Sequence, residues 1–381
     1  MSILFHDGFD HYGTGNIPVT WAANGGFVAS GYLQPTQTMP IHANYAKVST
    51  AVSGADAAYG ISLNSSNQPN QVWISRVIEE WEDRIVVGFA LKVNAVPSSQ
   101  LKVFQFTSDY NFIVQPDLYV KAFGITTKYQ VEVGIWYFYE MQIDKTTGKG
   151  TAWCANNKIV EVDLSDFLVD NWHIMASCPV GSSTQSNIVN VDDVYVVDGS
   201  GEIHTSRLGR SNSVLRVPKA TVEAGFVASA GENHTAVAGV APNNSPYVSS
   251  GVEARDLYSN PANLNSEKKI HAISVVLNTL KEEPDPVTVA PLIKSGETIA
   301  EGRDFAIRAS LYTGNAQVFE FDPATGLEWT KDGVLAAAWG QKTIIGTYED
   351  FPTETGDLTE VYTPSSVAVA DANGITIYED S

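Results

Sequence analysis

Alternation of apolar and polar residues between positions 130 and 144 is the feature that most constrains how this chain folds. Apolar side chains recur at every second position there, namely Val131, Val133, Ile135, Tyr137, Tyr139, Met141 and Ile143. The other face carries mainly polar residues, namely Gln130, Glu132, Glu140, Gln142 and Asp144. A repeat of two residues is that of a β-strand, whose successive side chains point to opposite faces of the sheet. The stretch predicts a long antiparallel strand with one buried face.

Turn residues and further β patterns surround this strand. Thr146 to Gly150 predicts a turn, and strands at 151–155 and 158–162 around Asn156-Asn157 predict a hairpin. Other strands are predicted at 84–93, 101–107, 118–123 and 191–197, with one short helix around 164–169. The first part of the chain is therefore predicted to be all-β.

The chain is long enough for more than one core. It has 381 residues, with 44% hydrophobic and 17% charged residues, 30 Gly and 17 Pro, which is typical of packed β-structure with many turns. An apolar-poor segment containing Arg207 and Arg210 follows residue 201, so we place the domain junction there. The first domain is 1–201 and the second, 202–349, is also predicted to be all-β, with strands at 270–280, 305–313, 317–321 and 342–348.

Residues 350–381 form a predicted third region. Phe351 to Ser366 is rich in Pro, Thr, Ser, Gly and acidic residues, which is typical of a linker. A hairpin is predicted after it, with strands at 366–370 and 375–378 closed by Asp371 to Gly374 and with apolar positions Val367, Val369, Ile375 and Ile377. A lone hairpin is marginal in water, so we expect it to pair either with another subunit, as an assembly arm, or with its own second domain.

Charge and cysteine content bear on partners and compartment. The net charge of −20 repels phosphate backbones and anionic headgroups, so we expect neither nucleic acid nor a membrane as partner. The first residues contain Asp7 and lack the basic and apolar regions of a secretory signal. Cys154 and Cys178 are too few for a disulfide framework and are expected to be free thiols. Synthesis in a cytoplasm is expected.

Three segments of the first domain resemble a known family. They are Phe5 to Tyr12 (FHDGFDHY), the strand–turn–strand unit from Val131 to Val162, and Val191 to Gly199 (VDDVYVVDG). Together they resemble the concanavalin A-like, laminin G-like jelly rolls of phage particle proteins. In that family the opening and closing segments lie at the two ends of one β-sandwich domain.

The second half resembles a β domain that follows this jelly roll in phage virion proteins. Its cues are SRLGR at 206–210, VLRV at 214–217, SPYVSS at 245–250 and FDPATGLEWT at 321–330. Arg210 stands where the family usually has an acidic residue, so no role of that acid is carried over. The resemblance implies a second β-sandwich and a virion protein of the tail, collar, baseplate or fibre, made in a bacterial host cytoplasm. Its expected partners are other phage structural proteins and further copies of itself. Capsid decoration or a head spike, and a host-recognition module that binds surface glycans, are the alternatives.

Catalytic carboxylates were sought because sandwiches of this class include sugar hydrolases. Laminarinase-like enzymes of the fold carry Glu-x-Asp-x-x-Glu on one strand. The nearest run here is Glu79 to Asp83, and Ile85 occupies the third carboxylate's position. Gly-x-Ser-x-Gly, His-Glu-x-x-His and a phosphate loop are also missing from the sequence. We therefore expect no catalytic residues and a protein that is not an enzyme.

A calcium ion is the one cofactor that the resemblance suggests. Laminin G-like domains often bind calcium through oxygen ligands at a sandwich edge. Asp7, Asp10 and Asp193 converge if the first and last strands of the domain pair. Strand alternation sends Asp192 and Asp193 to opposite faces, so at most one of them joins the cluster. The alternative is that these are turn residues and that no cofactor is bound.

Aromatic residues in the central strands offer a second candidate site. Trp136 and Phe138 fall on the face of their strand opposite the main apolar set, and Trp153 lies on the next strand. Either the sandwich is covered on both faces there, or these aromatics form a subunit interface or stack on sugars.

Overall fold

The structure is a computed structural model of the 381-residue chain. It describes residues 3–7, 15–16, 28–31, 46–49, 60–63, 72–76, 81, 83–106, 110–164, 172–176, 189–239, 246–261, 264, 268–281, 287–307, 313–345 and 367–379. Within these ranges strands dominate, and no helix is long and apolar enough to cross a membrane.

The first unit is a two-sheet β-sandwich of the jelly-roll class. Its strands are β1 (Ile3–Asp7), β2 (Gly15–Asn16), β3 (Val28–Gly31), β4 (Ala46–Ser49), β5 (Gly60–Leu63), β6 (Val72–Arg76), β7 (Arg84–Val93), β8 (Leu101–Gln105), β9 (Asn111–Val114), β10 (Tyr119–Ala122), β11 (Ile125–Gln130), β12 (Trp136–Asp144), β13 (Lys149–Cys154), β14 (Asn157–Asp163), β15 (Trp172–Ala176) and β16 (Val189–Val197). A nine-stranded antiparallel sheet has the order β14-β13-β12-β7-β16-β5-β4-β2, with β1 also paired to β16. A seven-stranded antiparallel sheet has the order β11-β10-β9-β8-β15-β6-β3.

The second unit is another sandwich of two antiparallel sheets. Its elements are β17 (Ser211–Arg216), β18 (Thr221–Glu223), β19 (Val227–Ala228), α1 (Asn233–Ala236), β20 (Val248–Ser250), β21 (Arg255–Ser259), β22 (Ile270–Lys281), β23 (Val287–Ser295), β24 (Thr298–Glu301), β25 (Phe305–Ala306), β26 (Thr313–Phe319), β27 (Phe321–Asp322), β28 (Leu327–Glu328), α2 (Lys331–Ala336), β29 (Ala338–Ile345) and β30 (Val367–Glu379). One sheet has the order β19-β20-β30-β22-β26 with β17 paired to β30, the other β18-β21-β29-β23-β24 with β25 paired to β23, and β27 pairs with β28. The all-β prediction is confirmed.

Aromatic side chains form much of the core between the two sheets of the first unit. Phe89 and Tyr139 of the nine-stranded sheet enclose Phe112 of the seven-stranded sheet, with ring centroids 5.4 Å and 4.6 Å from Phe112. Phe89 meets Phe112 edge to face, an arrangement that aromatic pairs favour. The alternation of β12 is confirmed here, because Tyr139, Met141 and Ile143 all lie in this core.

The two sandwiches stack, so the nine-stranded sheet is covered on both faces. Val86, Ala90 and Phe138 lie on its outer face and pack in one buried cluster with Ala272 and Val318 of the second unit. Strand β7 is therefore buried along almost its whole length, which explains why its sequence is a near-continuous apolar run. The prediction that the strand around 130–144 has a single buried face is wrong for this reason.

The predicted strand at 130–144 is divided in two. Strand β11 ends at Gln130 in the seven-stranded sheet, and β12 begins at Trp136 in the nine-stranded sheet. The chain crosses between the sheets through a turn at Gly134, whose φ is +85°. Val133 and Ile135 lie in this crossing and are 42% and 48% exposed, so they do not belong to the buried face. The alternation of apolar and polar residues in the sequence continues through this crossing, although the residues there belong to neither strand.

The predicted C-terminal hairpin is one continuous strand. β30 runs through the predicted turn residues, and Gly374 pairs with Val275 on one side and Arg216 on the other. The strand lies inside its own sheet, between β22 on one side and β17 and β20 on the other. The physical reason is that two open strand edges face each other across the position of β30, and one extended strand satisfies both. In this structure Val367, Val369, Ile375 and Ile377 therefore belong to the second unit's own sheet.

Gly88 is required by the packing of the Tyr195 ring against β7. A Cβ added at Gly88 would overlap that ring, which is fully buried and held at its hydroxyl. We expect Gly88→Ala to lower the free energy of unfolding, measured with urea, by about 2–3 kcal/mol because the core is overpacked. The control is a double-mutant cycle with Tyr195→Ala, in which the cost of the alanine should disappear. An equal cost in both backgrounds would contradict this explanation.

Candidate functional site

Residues 198–210, which we call the connector, lead from β16 to β17 and contact both units. Arg84 of the first unit donates from Nη1 to the Thr205 carbonyl at 2.9 Å, and His204 Nε2 lies 2.9 Å from the His271 carbonyl of the second unit. The connector is therefore attached to both units. Its densest set of polar contacts surrounds Glu140.

Glu140 of β12 is fully buried on the outer face of the nine-stranded sheet. Its carboxylate accepts hydrogen bonds from the Tyr195 hydroxyl and the Arg207 guanidinium. The Gly209 amide also donates to Glu140 Oε1 at 3.0 Å. A buried carboxylate requires such partners, since an unpaired buried charge is very costly. We call Glu140, Tyr195, Arg207 and Trp153 the Glu140 cluster.

Tyr195 links the strand β16 to the connector. Its hydroxyl donates to Glu140 and accepts the Leu208 amide at 3.1 Å. Burial, and then the neighbouring Glu140 carboxylate, hold the pKa of Tyr195 well above its usual range. The phenol therefore keeps its proton and acts as a fixed donor to Glu140.

Arg207 closes the cluster from the connector side. Its guanidinium lies over the Trp153 ring, 4.3 Å from the centroid, while its nitrogen donates to Glu140. Arg207 is 24% exposed and Glu140 is not exposed, so solvent screens this ion pair less than a surface pair. Chemically, the cluster contains a charge pair that joins the connector to the first unit.

Two further hydrogen bonds join the units directly. The Ile3 amide of β1 donates to Glu320 Oε1 at 2.7 Å, and the Ser213 amide of β17 donates to Asp193 Oδ1 at 2.9 Å. Both acceptor side chains are buried. Together with the apolar cluster around Phe138, they connect the two units.

The three aromatic candidates lie at or beside this junction. Phe138 is 5% exposed and stacks on Tyr195 with centroids 6.2 Å apart. Trp136 is half-buried, packs against the same cluster, and has Lys92 Nζ 5.2 Å from its centroid. Trp153 is half-buried under Arg207. In this chain, then, the pair Trp136 and Phe138 contributes to the contact between the two units.

The calcium candidates are partly outside the described residues. β1 pairs with β16 as the family resemblance implied, and Asp7 lies opposite Val194, next to Asp193. A β-bulge with φ +49° at Asp193 interrupts the alternation, and both Asp192 and Asp193 are buried. Asp10 lies outside the described residues. Calcium at Asp7, Asp10 and Asp193 stays a prediction.

The remaining sequence candidates gave no cluster. Glu79, Glu80 and Glu82 lie outside the described residues, and Asp83 is exposed. The side chains that the structure describes contain no group of three or more His, Cys, Asp or Glu residues placed to hold a metal. Cys154 is a free, half-buried thiol whose pKa is raised by burial.

Sequence reasoning missed the Glu140 cluster although all its members are visible in the sequence. The sequence predicts Glu140 on a polar strand face and Arg207 in an apolar-poor segment, and it gives no link between them. The one available signal was an acidic residue inside a strand of otherwise aromatic and apolar neighbours. Such a residue is compatible with solvent exposure, so its partner was not identifiable.

Comparison with known proteins gives a fold class and no family. No protein-family model and no curated protein matches the chain. Solved structures that match over about half of the chain include the catalytic domain of a GH131 β-glucanase from Podospora anserina, at 14% identity and a TM-score of 0.41, covering 54% of this chain and 99% of that one. The catalytic domain of a glycoside hydrolase family 131 protein from Coprinopsis cinerea matches at 15% identity and a TM-score of 0.40, covering 54% and 98%. A sialidase matches at 10% identity and a TM-score of 0.35, covering 52% of this chain, which spans only 18% of that protein's length.

These comparisons correct the prediction that the protein is not an enzyme. Catalytic domains of glycoside hydrolases are among the matching structures, so the missing third carboxylate at Ile85 was not a sufficient ground for that prediction. At these identities and TM-scores the likeness describes a jelly-roll β-sandwich and assigns no reaction or substrate to this chain.

Proposed function

We propose that this protein is a structural component of a tailed-phage particle that acts in assembly. Its partners in this proposal are other phage structural proteins and further copies of the same chain, and its location is the virion. The starting point is the resemblance of the FHDGFDHY and VDDVYVVDG segments to jelly rolls of phage particle proteins.

The buried contact between the two sandwiches is the observation that carries the proposal. Domains of one chain move relative to each other by default unless their interface is large and apolar. Here an apolar cluster around Phe138 is combined with the buried Glu140–Arg207 pair and the Asp193–Ser213 bond. A part that must hold its neighbours at set positions in a symmetric particle benefits from such a contact, because it restricts motion between the two sandwiches.

Quantitative mass spectrometry of purified particles tests the proposal. We expect the chain to co-purify with the virion at a constant ratio to the major capsid protein. About six or twelve copies would indicate a tail, collar, baseplate or fibre position, and hundreds would indicate capsid decoration, since copy number follows particle symmetry.

The control is an abundant host protein measured in the same gradient fractions, which gives the level of carry-over. Recovery of the chain only in the soluble lysate, at or below that level in particles, would contradict a virion role.

A further inference from the structure

Two histidines meet where the connector touches the second unit. The rings of His204 and His271 are 5.0 Å apart between centroids and stand at 73° to each other. His271 is 4% exposed, and within the described residues neither of its ring nitrogens has a hydrogen-bond partner. A neutral imidazole tolerates this site better than an imidazolium, which carries a charge and two donors.

The backbone of His204 is held in a conformation that non-glycine residues rarely adopt. Its φ is +57°, in the left-handed region. The hydrogen bond to the His271 carbonyl, at 2.9 Å, is the contact that ties this residue to the second unit. Loss of the contact would let the connector relax, so local strain favours release.

Some groups around the two histidines lower the imidazole pKa values and others raise them. Burial, then His204, then Lys269 lower the pKa of His271 to about 3. Burial also lowers the pKa of His204, and Lys269 adds to this, whereas the His271 carbonyl, Glu320 and Glu328 oppose it. Lys269 is itself paired with Glu328 at 2.8 Å. Desolvation is the largest influence on the pKa of both imidazoles and lowers it, so each is neutral in the closed contact at neutral pH.

We infer that the His204–His271 contact is an acid-sensitive latch between the two sandwiches. In the closed contact the imidazoles resist protonation, whereas in an opened contact they are solvated and take up protons near their ordinary pKa of about 6.5. Acid therefore favours the open form, in which the connector leaves the second unit while both sandwich cores persist. This inference does not depend on the proposed virion role.

Proton linkage sets the size of the effect. Between pH 6.5 and the lowered pKa of about 3 of His271, opening takes up one proton at this residue. The opening equilibrium constant then approaches a tenfold rise per pH unit and increases about 50-fold from pH 6.5 to 4.5, because the solvated imidazole of the open form is already half protonated at pH 6.5. Protonation of His204 makes the dependence steeper.

Hydrogen exchange of the full chain, followed by mass spectrometry, tests the latch. We expect protection factors in peptides covering 199–210 and the start of β22 to fall by at least about 50-fold between pH 6.5 and 4.5. Peptides from β7 and β23, in the two cores, should keep their protection. His271→Leu, which removes the titrating ring from this buried site, should remove the part of the fall that is due to His271 and leave only the smaller contribution of His204.

A second variant protects the test against a folding failure of the first. His204→Asn keeps a side chain that tolerates the left-handed backbone and does not titrate, and it should make the pH dependence less steep by removing the contribution of His204. The inference is overturned if wild-type connector peptides keep their protection at pH 4.5, if both variants show the wild-type slope, or if β7 and β23 lose protection in parallel.

Discussion

Deletion of residues 367–381 is expected to unfold the second sandwich. β30 is the central strand of the sheet with the order β19-β20-β30-β22-β26. It pairs with β22 along Ile270–Lys281 and with β17 along Ser211–Arg216. Its removal leaves the pairs β22–β26 and β19–β20 with open edges and leaves β17 without a partner strand in this sheet. The lost pairing should exceed the about 5–15 kcal/mol by which domains are typically stable. We expect a large loss of β-sheet circular dichroism and of proteolytic resistance beyond the connector.

A proline within β30 provides a sharper version of this test. Ile375 pairs with Leu215 on one side and Ser274 on the other. Ile375→Pro removes an amide from the middle of the sheet and should destabilise the second unit by about 3 kcal/mol or more. Ile375→Val, which retains a β-branched residue, is the matched control and should cost less than about 1.5 kcal/mol. If the truncated and the proline variant both have the wild-type free energy of unfolding, β30 is dispensable.

The first sandwich should also respond to the deletion. Phe138, Val86 and Ala90 are buried against Ala272 and Val318 of the second unit. Unfolding of that unit exposes this apolar face to water, and an exposed apolar face of a sheet promotes association. The truncated chain should therefore aggregate, even though the core between its own two sheets is intact.

Arg207→Ala is expected to lower the free energy of unfolding by about 3–5 kcal/mol at pH 7. The substitution leaves the fully buried Glu140 carboxylate without its cation, and breaking a buried ion pair from one side has this cost. Thermal or urea unfolding measures the change.

Two controls separate the buried charge from a general effect of losing a basic residue. Lys158 pairs with Glu161 at 2.8 Å on the exposed strand β14, so Lys158→Ala should cost less than about 1 kcal/mol. In the Glu140→Gln background a neutral amide replaces the carboxylate, and Arg207→Ala should then cost much less than in the wild type. Equal costs of Arg207→Ala in both backgrounds would show that Arg207 stabilises the protein only by stacking on Trp153.

Local patterns predicted the elements whose determinants are close together in the chain. The predicted strand at 84–93 matches β7, Arg84–Val93, and the hairpin at 151–162 matches β13 and β14 with its turn one residue earlier. Pairing of the chain's first strand with Val189–Val197 followed from the family resemblance. Alternation and turn chemistry are encoded by neighbouring residues, so they are visible in a sequence without knowledge of the fold.

Tertiary structure decided what lies on the second face of each sheet. The alternation at 130–144, which first indicated a β fold, placed Tyr139 and Met141 in the core but gave no sign that Glu140 is equally buried. Its partner Arg207 is 67 residues away, and β30 finds its place between strands that precede it by about 90 residues or more. A polar residue on a strand looks the same in the sequence whether water or another sandwich covers it. Only the packing of distant segments determines whether the side chain is removed from water. A charge that is removed from water must then be paired.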